Sequence, residues 1–469
     1  MTTPSQAPAA EAVVERALRA AGRAGDHVST SVIVEDDSTA NLRWACNTLT
    51  TNGYAESRQV WVVTAVRGSG GVGVAGVGGS ADGSQVEDLV EQALAQARQA
   101  PAAEDARDLP PGSQDVDFAL AADPLDPNEL SPLTPQLGAE LETFAAADAE
   151  LFGFAEQTRT TTWLGTSAGA RRRHVQPSAT VELTAKSHQR SRSTYDNRTA
   201  DRLADVDLAS MAAGLRTRLD WQARRVNVQP GRYSTILPAG SVLDLLIHLY
   251  WEAGARAAHE GETALSKPGG GTRVGETVSN VGCDLISDPS ATGLEVAPFL
   301  VTAASSPLAS VFDNGLDLRR TAWIDDGRLS ALPGSRFAAG LAGLPAHPQI
   351  DNLALNVRDG QGTIDDLIAS TERGLLVTSL WYIREVDPMT MLLTGLTRDG
   401  VYLVENGEVV GLTGNFRFND SPLGLLNRVE AAGVSAPALS REWSDWFTRS
   451  AAPALRVADF NMSTSSAGT

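Results

Sequence analysis

Six histidines, two cysteines and one serine in a Gly-x-Ser-x-Gly setting are the side chains of this chain best suited to chemistry. His248 and His259 are the closest pair of histidines, eleven positions apart on a stretch of helical spacing. They share nearly one helix face, but ~16 Å of axis separates them, too far for one metal ion. His27, His174, His188 and His347 stand alone. His248 and Glu252 lie four apart and could co-ligate, yet no third ligand follows. The stripe His248, Glu252, Arg256 therefore reads first as the polar face of a helix, with Glu252 and Arg256 spaced for an ion pair. No Cys-x-x-Cys exists, which argues against a thiolate zinc site. Cys46 and Cys283 each sit in a strand-like apolar context and read as buried thiols of a cytoplasmic chain; a disulfide between them is the alternative.

Ser167 lies in Gly165-Thr166-Ser167-Ala168-Gly169. A nucleophile elbow must open into a helix, and here Arg171-Arg172-Arg173-His174 leads toward another strand, so a hairpin turn is the favoured reading. Residues 71–79 alternate glycine with valine or alanine, the period of a glycine-rich strand rather than a phosphate cradle. Asp313-Asn314-Gly315 reads as a turn, and Asp313 and Asn314 could also line a cleft. Asn415-Phe416-Arg417-Phe418-Asn419 alternates at strand period. One face buries Phe416 and Phe418; the other presents Asn415, Arg417 and Asn419, which could hold a peptide backbone, although any half-buried strand alternates this way.

The elements that must position these residues follow from periodicity and turn signals. Helices are expected at 9–24, 87–98, 137–152, 211–221, 240–258, 421–431 and 439–448. Strands are expected at 29–34, 42–48, 60–66, 158–164, 179–186, 233–237 and 454–458, with 401–404 and 409–412 pairing across Asn406-Gly407. The fold class is α+β: an N-terminal helix-plus-sheet region, then a C-terminal domain dominated by antiparallel sheet. The divisions fall at 1–110, a linker at 111–135, a second helix-plus-sheet region at 136–229, and 230–469. The two N-terminal regions look like two similar units. Prolines and acids across 101–135 predict an exposed connector.

At 469 residues the chain has room for two to three domains. Its formal charge of −19 argues against nucleic acid as a partner, because phosphate binding needs a basic footprint. Nothing approaches the ~18 uninterrupted apolar residues of a membrane span. Met1-Thr2-Thr3-Pro4-Ser5 has neither a basic region nor an apolar core and is not read as a secretory signal.

A resemblance adds to this reading. The frame Trp251-Glu252-x-x-x-Arg256 resembles the His-Glu-x-x-x-His metal helix of TldD-type subunits in the TldD/PmbA family, with the glutamate kept and both histidines replaced. Further runs resemble the TldE (PmbA) branch in its actinobacterial form. They are Ser266–Glu276, Ala309–Gly315, Thr371–Thr378 with Leu380–Pro388, Thr394–Gly407, Gly414–Pro422 and the tail Leu455–Ser463. The N-terminal half resembles the family more loosely.

The resemblance implies a zinc-less subunit of a heterodimeric cytoplasmic metallopeptidase acting on unfolded or modified peptides. A TldD-type partner would carry the zinc, and this chain would hold no cofactor and no catalytic residue. Neither an indole N–H nor a guanidinium offers a lone pair to zinc, so Trp251 and Arg256 cannot ligate. The late cysteine ligand that the resemblance would supply is also missing, since no cysteine follows Cys283. Gly254 lies inside the frame, where it would ease a bend. The alternatives are a stand-alone or homodimeric binding protein for peptides or small molecules, a hydrolase subunit in a natural-product pathway, and a metal-free hydrolase with Ser167 as its first suspect.

Overall fold

The computed structural model describes residues 9–80 and 85–466. Its N-terminal half is one six-stranded antiparallel sheet carrying two helix pairs. The chain runs α1 (Ala10–Gly22), β1 (Val28–Ala45), β2 (Thr48–Gly68), β3 (Gly71–Gly79) and α2 (Val86–Gln99). It then repeats the pattern as α3 (Leu133–Ala146), β4 (Ala149–Thr166), β5 (Arg171–Ser187), β6 (Arg192–Ala200) and α4 (Leu208–Trp221). The strand order β3-β2-β1-β4-β5-β6 places the two units back to back, with β1 paired to β4 at the centre. The regions 1–110 and 136–229, separated in the sequence reading, thus share one sheet.

Burial explains which face the helices take. Val32, Val34, Ala40, Leu42 and Trp44 are alternate residues of β1 and are all buried. The first two pack with α1 and α2, the last three with α3 and α4. In α1, buried Ala10, Val13, Val14, Ala17 and Ala21 repeat at helical spacing. The opposite face of the sheet meets the C-terminal half, where Ile33 and Leu164 pack on Phe299, and Val63 and Ala65 pack on Val311 and Phe312.

β1 is continuous where two strands, 29–34 and 42–48, are expected. Its polar middle is paired on both sides: Arg58 reaches Asp36 at 2.5 Å from β2, and the Thr160 hydroxyl donates to Asp37 at 2.5 Å from β4. Periodicity alone cannot see such pairing. The expected helix at 137–152 sits earlier, and Asp148 at φ +51 turns the chain into β4. Cys46 is exposed, because it forms the β1–β2 turn beyond the core; Cys283 is buried, and both are free.

Most of the segment 111–135 is exposed, but it is pinned to the sheet at a few points. Phe118, Leu125 and Leu130 are buried, Leu125 N–H donates to Ser38 Oγ at 2.9 Å, and Arg172 binds Asp115 at 3.1 Å. Three apolar anchors spaced among prolines hold it to the sheet.

The C-terminal half is built around a buried helix. β7 (Gly231–Leu237) leads into α5 (Ala239–Trp251), in which every residue from Ser241 to Tyr250 is buried. α5 packs in a common core with a nine-stranded and a six-stranded sheet. Most pairings are antiparallel, with β7 beside Arg373–Val377 and Asn352–Val357 beside Arg449–Ala452 as parallel pairs. The expected helix 240–258 is broken: α5 ends at Trp251, Gly254 is extended at ψ 131, and a second helix, α6, covers Ala255–Glu260.

Two more expected helices shrink for tertiary reasons. Only Pro422–Leu426 is helical in 421–431, because Val429–Ala432 joins the sheet beside Leu455–Ser466. Residues 439–448 form turns, since the Asp244 carboxylate takes the backbone N–H groups of Arg441 and Glu442 at 2.8 Å each. The last strand runs to Ser466 rather than stopping at 458.

Candidate functional site

The break between α5 and α6 opens onto a cleft of about 850 Å³. Trp251, Glu252 and Arg256 line it, so the three positions singled out by the metal-helix resemblance share one cavity. The facing wall comes from the N-terminal half: Glu104 and Asp105, just beyond α2. A loop at 305–308 and the start of the helix Arg336–Ala342 complete it.

Each side chain is held by its surroundings. Trp251 packs edge-on against Trp443, ring centroids 5.1 Å apart, and against Phe447 at 6.2 Å. Arg256 binds Glu260 at 3.0 Å and pairs with Glu104 across the cleft. Its guanidinium lies 5.8 Å from the Phe337 ring. Glu252 is half-buried, its carboxylate makes no hydrogen bond or ion pair among the described residues, and burial pushes that carboxyl above the usual range. Glu385 lies close enough to Glu252 for its own carboxyl to be raised, first by burial and then by that neighbour.

One face of α5 carries a buried polar stripe behind this wall. Ser241 Oγ, Asp244 Oδ2 and His248 Nε2 are all buried with no hydrogen-bond partner among the described residues. Burial lifts the Asp244 carboxyl to about 7 against the lowering effect of the Glu442 and Arg441 amides. Burial drops the His248 imidazole to about 4, and its ring stacks on Trp443 at 6.0 Å.

The residues present do not fit a catalytic zinc. A zinc site needs three or four N, O or S ligands converging at ~2.0–2.3 Å. No group of three or more His, Cys, Asp or Glu able to hold a metal exists among the described residues. Trp251 can only donate through its indole N–H, and Arg256 is a paired cation.

The other sequence candidates lie elsewhere. Asp313 is fully buried, taking Arg336 Nε at 2.6 Å and the Arg336 N–H at 2.9 Å. Asn314 closes the 302–314 loop by accepting Thr302 N–H at 2.7 Å and donating to Thr302 O at 2.9 Å. Both residues shape the cleft wall from behind rather than line it. Asn415, Arg417 and Asn419 alternate on Asn415–Asp420 with Phe416 and Phe418 buried between them. That strand is interior, flanked by Leu392–Thr397 and Leu455–Ser466. Arg417 is exposed and donates to Thr394 Oγ1 at 3.3 Å. Ser167 is in the β4–β5 turn, its Oγ accepting Thr30 N–H at 3.0 Å, and the chain continues into a strand. Glu104, Asp105 and Phe337 line the cleft and were missed; the first two lay in a stretch read as solvated linker.

With this geometry in place, the comparisons with known proteins converge. Residues 230–464 match the PmbA/TldA metallopeptidase C-terminal domain. The fold over nearly the whole chain is that of TldE from Thermococcus kodakarensis, with a TM-score of 0.75 at 15% identity, covering 96% of this chain and 99% of that one. A candidate modulator of DNA gyrase from Bacteroides thetaiotaomicron aligns with a TM-score of 0.74 at 15% identity over 98% and 100% of the chains. Another from Thermotoga maritima aligns at 0.73 and 14% over 96% and 99%. No curated protein matches the chain at a significant level. The chain belongs to the PmbA/TldD family of metallopeptidase-related proteins, and its fold is α+β. No helix among the described residues is long and apolar enough to cross a membrane.

Proposed function

We propose that this chain is the zinc-less, TldE-type subunit of a cytoplasmic two-subunit peptidase that acts on unfolded or modified peptides. The observation that supports it most is the cleft at the α5–α6 break. It has the size of a ligand-binding cleft, while Trp251 and Arg256 leave no ligand set for zinc among the described residues. A TldD-type partner would carry the metal, whose chemistry when bound is to activate water for amide hydrolysis. This chain would supply an aromatic and acidic wall that receives the peptide and excludes folded proteins.

The test is reconstitution. The purified chain alone is expected to hold no stoichiometric zinc by elemental analysis and to show no peptidase activity. Mixed with a TldD-type subunit, it is expected to elute as one complex that cleaves an unfolded peptide. About one tightly held zinc per isolated chain, or stable homodimers that ignore the partner, would overturn the proposal.

A further inference from the structure

Tyr382 adopts φ +56. A bulky residue takes this left-handed conformation only when its surroundings impose it. Here Glu442 imposes it: its carboxylate accepts the Tyr382 N–H at 2.8 Å and the Ile383 N–H at 3.0 Å. The Glu442 side chain is only 9% exposed and also binds Arg384 at 3.3 Å. The Arg384 guanidinium then covers one face of the Tyr382 ring, 4.4 Å from its centroid. Glu442 is itself fixed, because its backbone N–H donates to the buried Asp244. The result is a bulge between Trp381 and Arg384 that turns the ring outward, 55% exposed. Strained backbone and a buried carboxylate are thus used to hold an aromatic ring in water, where it adds little to the fold.

The strand that carries the ring runs beside the cleft, where its Glu385 lies near the cleft-lining Glu252. This strand, Leu380–Asp387, is the edge of the nine-stranded sheet. Trp443, next to Glu442, packs on Trp251 in the cleft wall. At the other end of the strand, Pro388 O accepts Ala264 N–H at 2.9 Å, two residues beyond Glu262, which also lines the cleft. Val386 and Met389, 53% and 51% exposed, are further apolar side chains on the same hairpin. Glu385 and Glu252 beside it have no ion-pair partner among the described residues, so the local charge favours a cationic occupant.

Resting on the reading of the cleft as a peptide site, we propose that Tyr382 is a substrate-binding residue whose free face takes an aromatic or aliphatic side chain of a basic, extended peptide entering the cleft, with Glu442 as its positioning residue. Arg384 occupies the other face, so the ring offers one flat apolar surface of fixed orientation. Pre-organisation of this kind lowers the ordering penalty of binding.

The test uses the full chain and a labelled, unstructured peptide with one phenylalanine flanked by lysines, beside the same peptide with alanine in its place. Fluorescence anisotropy is expected to show the phenylalanine peptide binding about 5-fold tighter, the scale of one aromatic contact. Tyr382→Phe keeps that preference. Tyr382→Gly suits the left-handed backbone and removes the ring, so it abolishes the preference without lowering the melting temperature. Glu442→Gln weakens the preference while Tyr382 is still present. An unchanged preference in Tyr382→Gly, or no peptide binding by the wild-type chain, overturns the inference. Loss of partner co-elution in Tyr382→Gly with peptide preference intact overturns it too, by making the ring a subunit contact. Failure of the two-subunit proposal is distinct, since it appears as a wild-type chain that forms no complex with a TldD-type protein.

Discussion

The cleft at the α5–α6 break and the strand Asn415–Asp420 both carry polar side chains that sequence could nominate for peptide binding, yet they are different kinds of surface. The strand is an interior member of a sheet, with neighbours on both edges and two buried phenylalanines beneath it. Its outward residues are the default polar face of a half-buried strand. The cleft draws on both halves of the chain, leaves Glu252 half-buried without a partner, and sits where a helix is broken. Desolvated, unpaired groups in a concavity mark a site better than polarity on a flat face does. Alternation reports which way a residue points; it does not report what lies opposite.

The largest effect should come from behind the cleft rather than inside it. Asp313→Ala leaves Arg336 without the carboxylate that orients it and the start of its helix, and about 3 kcal/mol of stability is expected to be lost in urea unfolding. A loss below ~1 kcal/mol would put Asp313 in the cleft's chemistry rather than its frame.

The buried stripe on α5 gives the next effect. The folded carboxyl of Asp244 titrates at about 7 against 3.8 as its ordinary value. A group raised in this way contributes stability that is fully present below its unfolded value and is lost as pH rises through the folded one. His248, lowered to about 4, acts in the opposite sense, its contribution being lost as pH falls toward that value. Arg441, Glu442 and Tyr195 also face this region. Asp244→Asn keeps an acceptor for both amides and removes only the titration. From about pH 5 to 7.5, wild type is expected to lose on the order of 2 kcal/mol relative to this variant. Parallel stability curves for the two proteins would show that Asp244 is already ionised at pH 5.

Within the cleft, Trp251→Ala is expected to raise KM for an unfolded peptide about 10-fold in the reconstituted complex, while Arg417→Ala changes it less than ~2-fold. The reverse order would move the binding surface to the strand. Glu252→Ala is expected to leave kcat within a few-fold, because no group of side chains able to hold a metal lies beside it among the described residues; a ~10²-fold loss would make it a general base.

Much of this architecture could be read from the chain. The α1 stripe, the Asn406-Gly407 hairpin and the repeated helix-plus-sheet pattern all follow from period and turn chemistry, which are local. Glu252 and its neighbours were legible through the resemblance. What could not be read depends on groups distant in sequence. The acidic middle of β1 is strand because Arg58 and Thr160 meet it, and 439–448 is not helix because Asp244 takes its amides. The Glu104 wall needed the fold to bring it within reach of Arg256, 152 positions away. The same is true of Tyr382, whose backbone is set by a carboxylate 60 residues on.

The smallest expected effect concerns that Arg256–Glu104 contact. Both side chains are substantially exposed, and an exposed ion pair loses in side-chain entropy and solvent screening most of what it gains in attraction. Arg256→Ala should therefore leave thermal stability unchanged within measurement. The pair nevertheless joins a helix of the C-terminal half to a segment of the N-terminal half across the mouth of the cleft. If it acts as a closure, removing it should speed peptide association, and raised salt, which screens the attraction of a basic peptide in both proteins, should slow association less in wild type than in the variant because it also loosens the pair. Stopped-flow binding at low and high salt reads both. Equal salt dependence in the two proteins would reduce Arg256 to a solvated residue of the wall, and the distinction between cleft and strand would then rest on Trp251 and Glu252 alone.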